Sequence, residues 1–340
     1  MALIKNINPF SKINNDTGFG NNASAYGGRF INRDGSFNLR REGTAFWERF
    51  NIYQVMISLP LWKFMGSIFV FFVFINLLFT SIYFWLGPEQ LTGLLSKTTW
   101  GMFKELYFFS TQTFTTVGYG RINPIGDSAN IVASLEALSG LLSFALATGL
   151  IYGKFSRPRA HLAFSDDALI APYRGGTGLM FRFATYKERH ALTDVEVQVN
   201  LALLVQDKGE PTYKFYDLAL ERKRIENLPM NWTVVHHINE ASPLLGLTEE
   251  DMKTADVELY VHVRGFDDVY ANVVLKRTSY TYEEIRFNRK FVPMYRESEN
   301  GKTTILEMHK LNQSIPVIPG ETVIVNQLGS SQRSEVSTPP

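Results

Sequence analysis

The 340-residue sequence contains no cysteine. Nothing in its fold can therefore depend on disulfides, and cysteine usage gives no reading of redox compartment. It also lacks charge imbalance: 34 basic against 33 acidic residues leave a formal net charge of +1. That argues against a nucleic-acid partner, whose phosphates call for a basic surface. No nucleophile–base arrangement and no metal-ligand cluster stand out, so no enzymatic activity and no cofactor are expected. His236-His237 is a poor chelator, because neighbours on a strand point to opposite faces. Gly175-Gly176-Thr177-Gly178 lacks the G-x-G-x-x-G spacing of a phosphate loop, and no helical pattern follows it. A nucleotide-binding regulatory domain is disfavoured for the same reason.

Charge is missing locally as well. Phe64 to Trp85 has no charged residue and is almost wholly apolar. At 1.5 Å per residue it can cross a hydrocarbon core of roughly 30 Å. Ser128 to Tyr152 is a second such span, whose one acid is Glu136. Between them Phe103 to Phe114 reads as a helix too short to cross, hence re-entrant and shielded by protein. Arg40, Arg41, Arg49 and Lys63 precede the first span, and Lys154, Arg157 and Arg159 follow the second. Only Lys97, Lys104 and Arg121 lie between. By the positive-inside rule both termini are cytoplasmic. The first span is too long and too far from Met1 for a signal peptide.

What is present between the spans is Thr116-Val117-Gly118-Tyr119-Gly120, or TVGYG. Four such loops around one axis let backbone carbonyls replace the water shell of a K⁺ ion. The glycines supply backbone conformations that a Cβ would penalise. Thr116 can add its hydroxyl, while Val117 and Tyr119 point away and brace the loop. One chain carries one such loop, so a closed pore needs three further copies in cyclic symmetry.

Residues 1 to 28 are rich in Asn, Gly and Ser and are expected to be mobile. Arg29-Phe30-Ile31 is a possible strand before an Asp34-Gly35 turn. Phe46 to Leu59 suits an amphipathic helix on the inner membrane surface, entering the span after Pro60. From about Ala160, alternating segments appear: Leu179 to Phe183, Val195 to Leu201, Trp232 to Ile238, Val257 to Val263 and Tyr270 to Leu275. Gly175-Gly176, Lys208-Gly209 and Asn300-Gly301 punctuate them, and the whole reads as a β-sandwich. The polar tail after Gln327 is expected to be disordered.

RFINRDGSFN (Arg29 to Asn38), GLIYGKFSRPRAHLAFSDDALI (Gly149 to Ile170) and WTVVHHINEASPLLGLT (Trp232 to Thr248), together with TVGYG, resemble the inward-rectifier potassium channels, most closely their prokaryotic members. The likeness runs from about Arg29 to about Pro319. It implies an α+β membrane protein: a two-helix tetrameric pore with a re-entrant pore helix, plus a cytoplasmic immunoglobulin-like β-sandwich. By position, Gly140 falls where the inner helix can bend. Phe144 takes the cavity position where strong rectifiers place an acid, so strong polyamine block by that route is not expected. Tyr152 matches the constriction at the helix bundle crossing, with Phe155 one turn below. Residues 140, 144, 148 and 152 lie on one i+4 row, which lets Gly140, Phe144, Thr148 and Tyr152 all face the axis.

Two departures concern filter support. The family often pairs a pore-helix Glu just before the filter with a basic residue beyond it. Here that position is Gln112, following which come Thr115, the filter and Arg121, so the usual ion pair is expected to be absent. Glu136, an expensive acid inside a span, is a candidate substitute partner for Arg121 or Gln112, with an interhelical hydrogen bond as the alternative. Ala271, Asn272 and Val273 match the family's G-loop constriction with a less glycine-like spelling. Lys154, Arg157 and Arg159 lie where anionic headgroups can reach them; ordinary positive-inside anchoring would use the same residues.

The reading is a homotetrameric, K⁺-selective, passive channel in a cell membrane, a bacterial inner membrane by its closest likeness. Gating is expected at the bundle crossing, driven by the cytoplasmic domain and modulated by anionic lipid. K⁺ in the filter is the only metal expected. The segments are 1–45 (cytoplasmic, one strand), 46–60 (interfacial helix), 61–158 (pore), 159–326 (β-sandwich) and 327–340 (tail). The alternative is a membrane-anchored sensor with a degenerate, non-conducting pore.

Overall fold

The computed structural model of the protein describes residues 8, 10–14, 28–43, 51–207 and 210–317. The expectations for the extreme N-terminal stretch, for residues 46–50, for the Lys208-Gly209 turn and for the tail fall outside those residues. The chain forms two compact units, Arg41–Arg157 and Met1–Arg40 with Pro158–Pro340.

The first unit is helical. Helix α1 (Ile52–Ser58) starts where the Asn51 side chain accepts from the Gln54 amide at 3.2 Å, and it stops before Pro60. The residue before a proline is disfavoured in helix, which sets that boundary. Helix α2 (Leu61–Leu86) ends at Gly87, with φ +98°, ahead of Pro88. Helix α3 (Thr99–Phe114) begins four residues before the expected start, because Thr98 accepts from the Gly101 amide and supplies an N-cap. Helix α4 (Asp127–Phe155) carries Asp127 in its first turn and Lys154 in its last, each matched to the helix dipole. With 26 and 29 residues, α2 and α4 are about 39 and 44 Å long, enough to span a bilayer with tilt. The 16 residues of α3 reach only about 24 Å. A two-residue ladder, β1 (Leu91–Thr92) on β2 (Asn123–Pro124), closes the re-entrant segment by joining its entry to its exit.

The second unit is a two-sheet sandwich. One sheet runs β11 (Asn272–Thr281), β10 (Glu258–Asp267), β6 (Leu192–Asp207), β7 (Glu210–Asp217), with β8 (Arg224–Leu228) also on β6. The other runs β12 (Ile285–Phe287), β4 (Ala168–Tyr173), β5 (Gly176–Thr185), β3 (Leu162–Phe164), with β9 (Asn231–Ile238) on β5. All pairings are antiparallel except β12 on β4. Period-two alternation explains the core: Val195, Val197, Val199, Leu201, Leu203 and Val205 of β6 all face inward and are buried. They meet Phe181 and Phe183 of β5, Trp232 and Val234 of β9, and Leu259, Val261 and Val263 of β10. Short ladders β13 (Arg289–Phe291) with β16 (Ser314–Pro316), and β14 (Tyr295–Glu297) with β15 (Thr304–Leu306), finish the unit, and a short helix α5 (Glu249–Thr254) opens on a Thr248–Asp251 capping box.

The expected strand at Arg29-Phe30-Ile31 is reduced to one bridge, Ile31 to Phe37. The reason is an acid. The amides of Phe30 and Ile31 donate to the Glu258 carboxylate at 3.0 and 3.4 Å, rather than to a neighbouring strand. Phe30 then packs edge-on against Tyr213, Phe215 and Tyr260, covering the outer face of the β6–β7–β10 sheet. Burial pushes the Glu258 carboxyl up, opposed by these amide hydrogen bonds.

Arg182, mid-strand in β5, is almost fully buried. Its guanidinium donates to the carbonyls of Leu311 (2.8 Å), Val292 (2.6 Å), Lys310 and Gln313 (3.2 Å), and stacks over the Phe291 ring. One side chain thereby pins the whole 291–313 excursion to the sandwich. Burial lowers its pKa to about 10.

Candidate functional site

The chemistry of the pentapeptide begins with backbone. α3 ends at Phe114, and its last turn hands over to the loop through the Gln112 carbonyl, which accepts from Val117 N (2.9 Å) and Gly118 N (3.3 Å). Thr115 closes the helix with its amide and hydroxyl both on the Thr111 carbonyl. Beyond it φ is positive at alternate residues: Thr116 (+59°), Gly118 (+55°) and Gly120 (+81°). Alternating left- and right-handed residues turn successive carbonyls to the same side, which an ordinary strand does not do. Two positions are glycine, where this geometry is nearly free. Thr116 is β-branched, and holding it there costs on the order of 1–3 kcal/mol. The sequence reading assigned the strain to the glycines and missed it at Thr116. The Gly120 carbonyl accepts from the Asn123 side chain at 2.7 Å.

Support for this loop differs from expectation in two ways. Arg121 does have an acid in the pore helix: Glu105, two turns before Gln112, lies 3.7 Å from its guanidinium. Glu105 also accepts from the Leu95 amide (3.0 Å) and the Ser96 hydroxyl (3.1 Å). It therefore joins the loop entering α3 to the residue leaving the filter. The pairing escaped the sequence because the partner sits two turns earlier in α3 than the expected position.

Glu136 does not reach Arg121 or Gln112. It is fully buried, and its carboxylate accepts from Tyr83 Oη at 2.7 Å and from Ser110 Oγ. Ser110 Oγ also lies 3.1 Å from Asn76 Oδ1. One acid thus ties α4 to both α2 and α3. This is the interhelical hydrogen-bond alternative, and its partners are neutral hydroxyls rather than a cation.

The inner helix α4 splits the expected four-residue row. Gly140 is buried against α3, where a Cβ would stand 1.8 Å from the Phe114 carbonyl oxygen. The helix continues unbroken through it. At this position α4 packs closely against the end of α3. Phe144, Thr148, Tyr152 and Phe155 are exposed on the single chain, and Thr148 donates back to the Phe144 carbonyl at 2.9 Å. The Lys154 ammonium donates to backbone carbonyls at the end of α1. Arg157 and Arg159 are exposed beyond the helix end.

In the β unit, Ala271 closes the β10–β11 hairpin at φ +46°, a conformation that suits glycine better. Asp267 is fully buried and accepts from the amides of Val269 (2.9 Å) and Tyr270 (3.1 Å) and from His190 Nδ1 (2.8 Å). Asn272 and Val273 are exposed next to it. His236, set aside as a metal ligand, is buried with its nitrogens near the Ala219 carbonyl and Ser242 Oγ, both at 2.8 Å. Burial pulls its pKa down.

Two long apolar helices, a short helix between them and a loop with positive φ at alternate residues define an ion channel of the two-span type. Comparison with known proteins agrees. Residues 59–157 match the model of an ion channel family, and residues 162–331 match that of the inward rectifier potassium channel C-terminal domain. The chain is 32% identical over 283 residues to the inward rectifier potassium channel Kirbac3.1 of Paramagnetospirillum magnetotacticum, covering 82% of this chain and 92% of that one. It is 29% identical over 234 residues to ATP-sensitive inward rectifier potassium channel 12 of Mus musculus, covering 64% of this chain and 53% of that one. A solved structure of Spo0M, a sporulation control protein from Bacillus subtilis, aligns over 37% of this chain and 47% of its own, at 8% identity and a TM-score of 0.21, too remote to bear on function. The chain belongs to the inward-rectifier potassium channel family.

Proposed function

We propose that four copies of this chain form a passive, K⁺-selective pore. The observation that carries the reading is the alternation of positive φ at Thr116, Gly118 and Gly120, which lines up carbonyls without side chains. Ions entering exchange water for these oxygens, and neighbouring ions repel one another onward. The exposure of Val117 and Tyr119 on the single chain fits bracing contacts supplied by further copies. Phe144 and Thr148 line the cavity. Tyr152 forms the constriction, with Phe155 below it, and a ring of four can close the path by dewetting. The β unit drives that constriction, and the Ala271–Asn272–Val273 hairpin is a second narrow point. Both termini lie in the cytoplasm by the distribution of Lys and Arg. Anionic lipid acts through Arg157 and Arg159.

The test is K⁺ flux in liposomes. Wild-type protein gives flux that K⁺ supports and Na⁺ does not. Gly118→Asp, which puts a Cβ and a charge at a φ of +55°, abolishes it. Flux unaffected by Gly118→Asp would overturn the reading.

A further inference from the structure

The loop that follows α3 is tied at both ends to groups outside it. At its inner end the Gln112 carbonyl accepts from Val117 N and Gly118 N. At its outer end the Asn123 side-chain amide donates to the Gly120 carbonyl at 2.7 Å. Among the described residues, that amide is the hydrogen-bond donor on this carbonyl. Gly120 needs one. It has φ +81°, and a Cβ placed on it would meet nothing of the chain within 4 Å. A glycine in open space turns its peptide at little cost. Packing within the chain therefore does not set where the Gly120 carbonyl points.

Asn123 is itself held. Leu91 pairs with Pro124, and Thr92 with Asn123. The Gln90 carbonyl accepts from Ile125 N at 2.9 Å and from Gly126 N at 3.3 Å. Gly93, at φ +89°, lies so close that a Cβ there would stand 1.8 Å from the Arg121 carbonyl oxygen. Residues 90–93 thus grip the segment that leaves the loop, and the Asn123 side chain carries that grip back to the pentapeptide.

We propose that Asn123 is a positioning residue for the last carbonyl of the selectivity loop. Seated on β1, its amide keeps the Gly120 carbonyl turned to the ion path when no ion is there to hold it. A carbonyl oxygen has two lone pairs, so one takes the amide and the other stays open to K⁺. An ion at the outer end binds the aligned carbonyl in preference to the turned one. Without the amide, alignment has to come from a higher K⁺ concentration, by population shift. The proposal rests on the pore reading, and its test separates the two.

Full-length protein in liposomes is assayed for tracer K⁺ flux while K⁺ is lowered equally on both sides, with N-methylglucamine in its place. Asn123→Leu keeps the size of the side chain and loses the donor. It should need about fivefold more K⁺ than wild type for half-maximal flux, the worth of one neutral hydrogen bond. At saturating K⁺ it should reach the wild-type flux. Asn123→Gln keeps an amide on a longer stem and should lie between the two. An unchanged K⁺ requirement in Asn123→Leu would overturn the proposal. So would flux lost at every K⁺ concentration in both variants, the mark of a residue that only closes the β1–β2 ladder. Wild-type protein with no K⁺-supported flux would defeat the pore reading itself, and the assignment of Asn123 with it.

Discussion

The two units bury polar groups by opposite means. In the β unit, buried charges sit on backbone: Arg182 on four carbonyls, Glu258 on two amides. Each uses its charge to fix a segment with no regular partner strand. In the helical unit the interior of each helix satisfies its own amides, so Glu136 binds side chains, Tyr83 and Ser110, while Glu105, beside a loop, accepts from the Leu95 amide as well as from Ser96. The apolar surface differs in the same sense. The sandwich closes a core of its own, whereas only 17% and 11% of the most apolar stretches of α2 and α4 are buried within the chain. The β unit is close to self-sufficient. The helical unit needs lipid or further copies to cover it, which is the physical content of a pore subunit.

Breaking one anchor in each unit sharpens that contrast. The largest effect is expected from Arg182→Met, which orphans four carbonyls around a buried site. It should destabilise the β unit by about 4 kcal/mol, seen as early proteolysis within 291–313 of the full chain in detergent. Proteolysis unchanged from wild type would mean that the excursion is held by its own ladders. Glu136→Ala follows, at about 3 kcal/mol, because two buried hydroxyls lose their acceptor. For the proposed four-copy pore its signature is loss of that assembly on mild heating and weakened K⁺ over Na⁺ selectivity, with the β unit's resistance to proteolysis intact. Glu136→Gln keeps an acceptor and should fall between the two. If Glu136→Ala leaves selectivity untouched, the three-helix tie does not brace the filter.

The smallest effect separates the units by pH. Burial holds His236 below its ordinary pKa of 6.5, so the folded state binds fewer protons than the unfolded chain there. Its contribution is present above pH 6.5 and is lost as pH falls through the folded value. The β unit's melting temperature should therefore decline on acidification from pH 6.5, less steeply in His236→Gln. His161 and His262, also lowered by burial, keep some of the slope. An identical slope in the variant would show that His236 is not buried neutral.

How much of this was readable in advance divides along the same line. Spans, pore helix, filter and the alternating strands were legible because period and hydropathy are local properties of a few consecutive residues. Thr98 as a cap could also have been read, since it stands three residues before Gly101 at a helix start. Glu105 with Arg121, Glu136 with Tyr83, and Glu258 with Phe30 could not, because they join residues 16, 53 and 228 positions apart. Spacing that long carries no periodicity. Lys154 shows the cost: its place at a span end suggested headgroups, and only the fold brought it to the end of α1.

By itself the sequence determined the family, the two spans and the five-residue TVGYG loop between them. A selectivity loop is short, and its backbone geometry is dictated by which residues tolerate positive φ. Tertiary structure alone decided what holds that loop and what fastens the inner helix below it. Those tasks fall to Glu105, Glu136, Gly140 and Lys154. Each acts on a partner chosen by packing, where a hydrogen bond's worth depends on the water excluded around it.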